Sequence, residues 1–140
     1  CGVLVLFPLG LYAYDPGLYW EYTACWAGIL VLCFIVYGFW PTTVKRPEIR
    51  QYGVSAEVLR LLYRVDRTAC NCLPSLHCAV SYLVGFFALR CGNMPGLLRA
   101  GAGGLALLVV TAVLLIKQHA LVDALAAVPV VAAVCLLFCR

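Results

Sequence analysis

Two histidines occur in this chain, His77 and His119, and each stands beside groups that can give it work. Pro74-Ser75-Leu76-His77 sets a proline and a cap-competent serine directly before an apolar helical stretch. Such a helix start offers backbone N–H groups and the positive end of a dipole, which together hold an anion. Ser75 adds a hydroxyl, and His77, at about the second helical position, projects toward whatever anion sits there. His119 and Asp123 are four apart at the start of the last apolar segment. On a helix that spacing brings their Cβ atoms to roughly 5–6 Å, so the carboxylate can accept the imidazole Nδ1–H and leave Nε2 as base or nucleophile. Asp123 is the only acid after Asp66, and an ionisable group in a membrane-embedded segment is costly enough that a functional partner is its default reading. Lys117 supplies a cation two residues before His119. The blander readings are a serine that caps a helix beside an incidental histidine, and a His119–Asp123 pair that fixes helix packing. Together the groups fit phosphoryl transfer, in which positioning and charge stabilisation dominate.

The elements that must position these residues are apolar helices. At 65% hydrophobic and 11% charged, the chain lies far from the roughly 45–50% apolar and 25% charged of a soluble domain, and its mean hydropathy is +1.00. A water-soluble fold, disorder, collagen and coiled coil are excluded. Spans of about 20 apolar residues are therefore the natural unit. One is expected over about Leu18 to Trp40, with Tyr19, Trp20, Tyr37 and Trp40 as interfacial aromatics. A second runs from Ser75 to about Arg90, and a third from Leu97 to about Ile116 after the turn residues Cys91 to Gly96. Gly101, Gly103 and Gly104 in the third allow close helix approach. The last reaches about Cys139, with Pro129 as an expected kink. Cys1 to Tyr14 is apolar but short, and reads as the end of a helix or as an interfacial segment. The expected architecture is an all-α, polytopic transmembrane bundle forming one integral-membrane domain over residues 1–140, without repeats.

Nine of the sixteen formal charges fall between Lys45 and Arg67. In that stretch Ser55 can cap a short helix to about Val65, with Val54 and Leu59 as a hydrophobic staple. Val58, Leu61, Leu62 and Val65 form its apolar side and Glu57, Arg60 and Arg64 its polar side, the pattern of a helix lying in the membrane interface. Most of the net charge of +4, +3 of it, is thus a property of the membrane-facing loop rather than a sign of nucleic acid. Of nine cysteines, Cys25, Cys33, Cys135 and Cys139 lie in apolar runs, where a thiol packs as a small hydrophobe. Cys70, Cys72, His77 and Cys78 cluster in sequence but lack the second paired spacing of zinc modules. No metal site and no cofactor is expected, and a two-histidine haem site is disfavoured because neither histidine lies mid-membrane.

Pro74-Ser75-Leu76-His77, followed by Lys117-Gln118-His119-Ala120-Leu121-Val122-Asp123, resembles the second and third motifs of the type 2 phosphatidic acid phosphatase superfamily. The leucine between Ser75 and His77 and the Lys-Gln-His run are most similar to the branch containing inositol phosphorylceramide synthases. Phe39-Trp40-Pro41-Thr42-Thr43-Val44-Lys45-Arg46-Pro47 looks like a weakened first motif. The resemblance covers about residues 8 to 138. It implies that His119 is the nucleophile of a phosphohistidine, that Asp123 orients it, and that His77 protonates the leaving group. Ser75 and Arg46 would bind phosphate oxygens, without a metal, at a site on the extracytoplasmic or lumenal face. The chain departs from the pattern at Phe39, where the family has lysine, and at Ala112 and Val113, where it has serine and arginine. Lys45, Lys117 or one of Arg60, Arg64 and Arg67 are the residues available to replace those ligands.

The resulting expectation is a multi-pass membrane phosphatase or phosphotransferase acting on a phospholipid or other lipid phosphate; the alternative is a non-catalytic lipid-binding protein of the same fold. Whether water or an alcohol is the acceptor, and the oligomeric state, stay open. Orientation also has two readings. Seven basic residues share the expected site's side and three, Arg90, Arg99 and Arg140, the other. The positive-inside rule then favours a cytoplasmic site, against the resemblance.

Overall fold

The computed structural model describes residues 2–41, 52–65, 73–115 and 121–139, which form six helices and no strand. They are α1 (Gly2–Tyr14), α2 (Pro16–Phe39), α3 (Val54–Val65), α4 (Leu76–Arg90), α5 (Gly96–Leu115) and α6 (Leu121–Phe138). The all-α bundle expected from the sequence is what forms. α2, α5 and α6 are long and apolar enough to cross a membrane, and α4 is a shorter apolar helix. Boundaries fall where capping chemistry is strongest. α2 begins two residues earlier than expected because Asp15 is its N-cap, accepting from Leu18 N–H at 3.1 Å, with Pro16 at the first helical position where its missing N–H costs nothing. At the C-terminus of α4, Arg99 donates from Nε to the Ala88 carbonyl and from Nη2 to that of Leu89, satisfying helix-end acceptors.

Chain direction sorts the bundle into two ends. Tyr37, near the C-terminus of α2, donates its hydroxyl to the Pro74 carbonyl at 2.6 Å, so the end of α2 meets the start of α4. At the other end Arg90 Nη1 pairs with Glu21 Oε2 at 2.8 Å, and Arg90 also lies over the Phe86 and Phe87 rings. α4 and α6 therefore run together, opposite in direction to α2, and α5 returns beside α4 as an antiparallel hairpin. The shared core takes residues from α1, α2, α4, α5 and α6, and centres on Leu11, Ile29, Leu83, Val84 and Phe87. Phe7, Tyr22 and Phe87 meet edge to face in a chain of rings. α1 is thus part of the bundle, packed on α2, α4 and α5, rather than a separate interfacial piece.

Two expectations are corrected. Gly101, Gly103 and Gly104 do not mediate close packing: a Cβ built at any of them meets nothing within 4 Å. The glycine that does is Gly28, where a Cβ would lie 3.1 Å from both Phe138 Cε2 and Val134 Cγ1, so its bare backbone lets α2 approach α6. Ser55 is not the cap of α3. The helix starts at Val54 after Gly53, whose φ of 134° is open to glycine and whose carbonyl accepts the first helical N–H, from Glu57. On α3, Arg60 pairs with Glu57 and lies over Tyr52, while Val54, Val58 and Leu61 share an exposed apolar stripe. That stripe suits the interfacial placement read from the sequence.

Candidate functional site

The site is built where the start of α4 meets the start of α6. Ser75 is the N-cap of α4: its backbone is extended and its Oγ accepts from Cys78 N–H at 3.3 Å. Its own N–H donates to the Asp123 carbonyl at 3.1 Å, which joins two helix N-termini across 48 positions of sequence. Pro74 and Ser75 are buried, and the Pro74 carbonyl is held by Tyr37. Three helices, α2, α4 and α6, thereby fix one short backbone segment.

Asp123 lies in the first turn of α6 and is only 6% exposed. A carboxylate there is favoured by the helix dipole, which offsets part of the cost of its burial. Cys78, fully buried on α4, lies within electrostatic reach of it. His77, the second residue of α4, is exposed at the same end, and the first-turn N–H groups of α4 point out of the helix toward that surface. The polar groups converge on a helix N-terminus in an otherwise apolar bundle, an arrangement that can hold an anion with a histidine beside it.

The structure thus brings Ser75, His77 and Asp123 to one end of the bundle. His119, Lys117, Lys45 and Arg46 lie outside the described residues, as do Arg67, Cys70 and Cys72. Arg60 is engaged with Glu57 on α3. Of the positions that depart from the family pattern, Phe39 is highly exposed at the end of α2, and Val113 is 6% exposed in the core of the α4–α5 hairpin. Tyr37, an interfacial aromatic by its sequence position, contributes to the site instead. Its hydroxyl secures the backbone before Ser75, and a lone tyrosine near a helix end carries no sequence signal for that partner. An apolar crevice of about 500 Å³, lined by residues such as Phe7, Gly10, Met94, Leu98 and Gly101, lies between α1 and α5 toward the opposite end of α4.

No family model matches the chain, and no curated protein or solved structure matches it.

Proposed function

We propose that this is a multi-pass membrane enzyme that hydrolyses or transfers the phosphate ester of a lipid through a phosphohistidine, as the resemblance to the type 2 phosphatidic acid phosphatases implies. The observation that carries this reading is the direct joining of the Ser75 cap to Asp123, two residues 48 apart that the chemistry requires at one place. In the proposed reaction His119 Nε2 attacks phosphorus while the ester P–O bond breaks, and His77 gives a proton to the departing alkoxide. Asp123 holds the His119 Nδ1–H and stabilises the imidazolium. Water or an alcohol then attacks the phosphohistidine and releases His119. Ser75, the N-terminus of α4, Arg46, Lys45 and Lys117 would bind the phosphate oxygens. No cofactor enters the scheme. The site would face the extracytoplasmic or lumenal side, so labelling of Cys70 or Cys72 in sealed vesicles should occur from that side only, and exclusively cytoplasmic labelling would reverse the orientation.

The deciding experiment is incubation of purified protein with labelled phosphatidic acid, lysophosphatidic acid, diacylglycerol pyrophosphate and inositol-lipid donors. Turnover that vanishes in His119→Ala supports the scheme; turnover at the wild-type rate in that variant removes His119 as nucleophile. The second reading is a non-catalytic lipid-binding protein of the same fold. It is favoured by Val113, an apolar core residue at a position where the resemblance asks for an arginine, and it expects lipid binding with no turnover of any of these substrates.

A further inference from the structure

The end of the bundle opposite Ser75 holds a second cluster of reactive groups that the proposed phosphoryl chemistry does not use. Cys25, in the third turn of α2, faces Cys135 and Cys139 at the C-terminal end of α6, and the three Sγ atoms all lie within 4.8 Å of one another. Cys25 and Cys139 Sγ are 3.7 Å apart. All three thiols are unbridged; Cys25 is fully buried and the other two are half-buried. Cys135 and Cys139 are one helical turn apart and aligned on one face, since the Cys139 N–H continues the helical ladder to the Cys135 carbonyl. Gly28, one turn along α2 from Cys25, permits the close α2–α6 approach that brings Cys25 onto that face.

The Cys25–Cys139 separation matches the edge of a thiolate cage around one ion, since metal–sulfur bonds of about 2.3 Å put sulfurs about 3.7–4.0 Å apart in tetrahedral or trigonal geometry, and the Cys135 sulfur lies within 4.8 Å of both. Among the described residues no fourth His, Cys, Asp or Glu joins them. A structural zinc site closes with four ligands, whereas a soft, all-sulfur set of three in apolar surroundings suits monovalent copper. Arg90, paired with Glu21, lies within electrostatic reach of Cys135.

We propose that Cys25, Cys135 and Cys139 form a Cu(I) site in the bundle, about one membrane leaflet or more away from the Ser75 and Asp123 end. Each coordinating thiol releases its proton to solvent as the Cu–S bond forms, and copper enters already reduced, so no electron is transferred. The site's position at the rim of α6 leaves Cys135 and Cys139 partly open, which gives the ion a path of entry.

The test is anaerobic titration of the whole purified chain with Cu(I) against a colorimetric chelator, with X-ray absorption at the copper edge. One tightly held copper with a shell of three sulfurs is expected in the wild type and in the Cys70→Ser/Cys72→Ser variant. The Cys25→Ser/Cys135→Ser/Cys139→Ser variant should lose it. Should that variant fail to fold, the half-buried positions carry the comparison: Cys135→Ser and Cys139→Ser should each weaken binding by more than the roughly 10–100-fold typical of outer-shell changes, with Cys33→Ser as an unaffected control. Equal copper binding by the triple variant, loss of the ion in Cys70→Ser/Cys72→Ser, or preferential retention of Zn²⁺ over Cu(I) overturns the proposal.

Discussion

Ser75 and Asp123 meet through their backbones: the Ser75 N–H donates to the Asp123 carbonyl at 3.1 Å, while the Ser75 hydroxyl is turned inward to cap α4. This main-chain hydrogen bond uses the side chain of neither residue. Side-chain substitutions at the two positions separate stability from chemistry, because they leave the donor and acceptor of that bond in place.

Ser75→Ala should cost about 0.5–2 kcal/mol of stability, the usual range for a lost N-cap, and Ser75→Gly only a few tenths. Asp123→Asn keeps size and backbone but removes the charge. Under the proposed mechanism it should lower lipid-phosphate turnover by roughly 10²–10⁴-fold, the range associated with a positioned acid–base group, in protein that still unfolds cooperatively. Turnover within a factor of two of wild type would remove Asp123 from the reaction and leave it a packing residue.

Glu21 and Arg90 tie α2 to α4 across the half-buried opposite end. The single variants Glu21→Gln and Arg90→Gln should each destabilise the bundle, and a double-mutant cycle should give a coupling of about 0.5–3 kcal/mol. Unfolding in mixed micelles measures it, and strict additivity would assign Arg90 to its contacts with Phe86 and Phe87 instead.

Gly28 sets the α2–α6 distance. Gly28→Leu should cost about 1–3 kcal/mol through overpacking against Val134 and Phe138. Adding Val134→Ala should recover part of that loss, since it vacates the nearest atoms. Gly104→Leu on the exposed face of α5 is the control, expected to be near neutral.

The Tyr22 hydroxyl is buried in the ring chain with no hydrogen-bond partner among the described residues. Removing an unsatisfied buried group relieves its desolvation cost, so Tyr22→Phe should be neutral or stabilising by about 1 kcal/mol. A loss exceeding that amount in the same micelle assay would mean that the hydroxyl is solvated.

The spans were legible because charge is so scarce that long charge-free windows mark the apolar helices, and the α4 start was legible because Pro74 and Ser75 announce it. What escaped was pairing across the bundle. Cys25 lies 114 positions from Cys139, and Glu21 lies 69 from Arg90, distances at which sequence pattern carries no information about contact. The glycines misled for the same reason: three in a row of small residues on α5 look like a packing face, yet the lone Gly28 is the one with a helix against it. α3 starts at Val54, after the positive-φ Gly53, so Ser55 falls inside the helix and not at its cap.

The two ties between α2 and α4, Glu21 to Arg90 and Tyr37 to Pro74, also act as a ruler. Sixteen residues of α2 separate Glu21 from Tyr37, about 24 Å of helix, against a hydrocarbon thickness of about 30 Å. If α2 and α4 cross a bilayer of ordinary depth side by side, the bilayer thins around them or one of the polar ties is drawn below the headgroups. The cost of either is a fraction of a kcal/mol per ångström, so the bundle should be more stable in vesicles of short-chain lipid than of long-chain lipid. The α2–α4 pair makes membrane thickness a variable to which this protein answers.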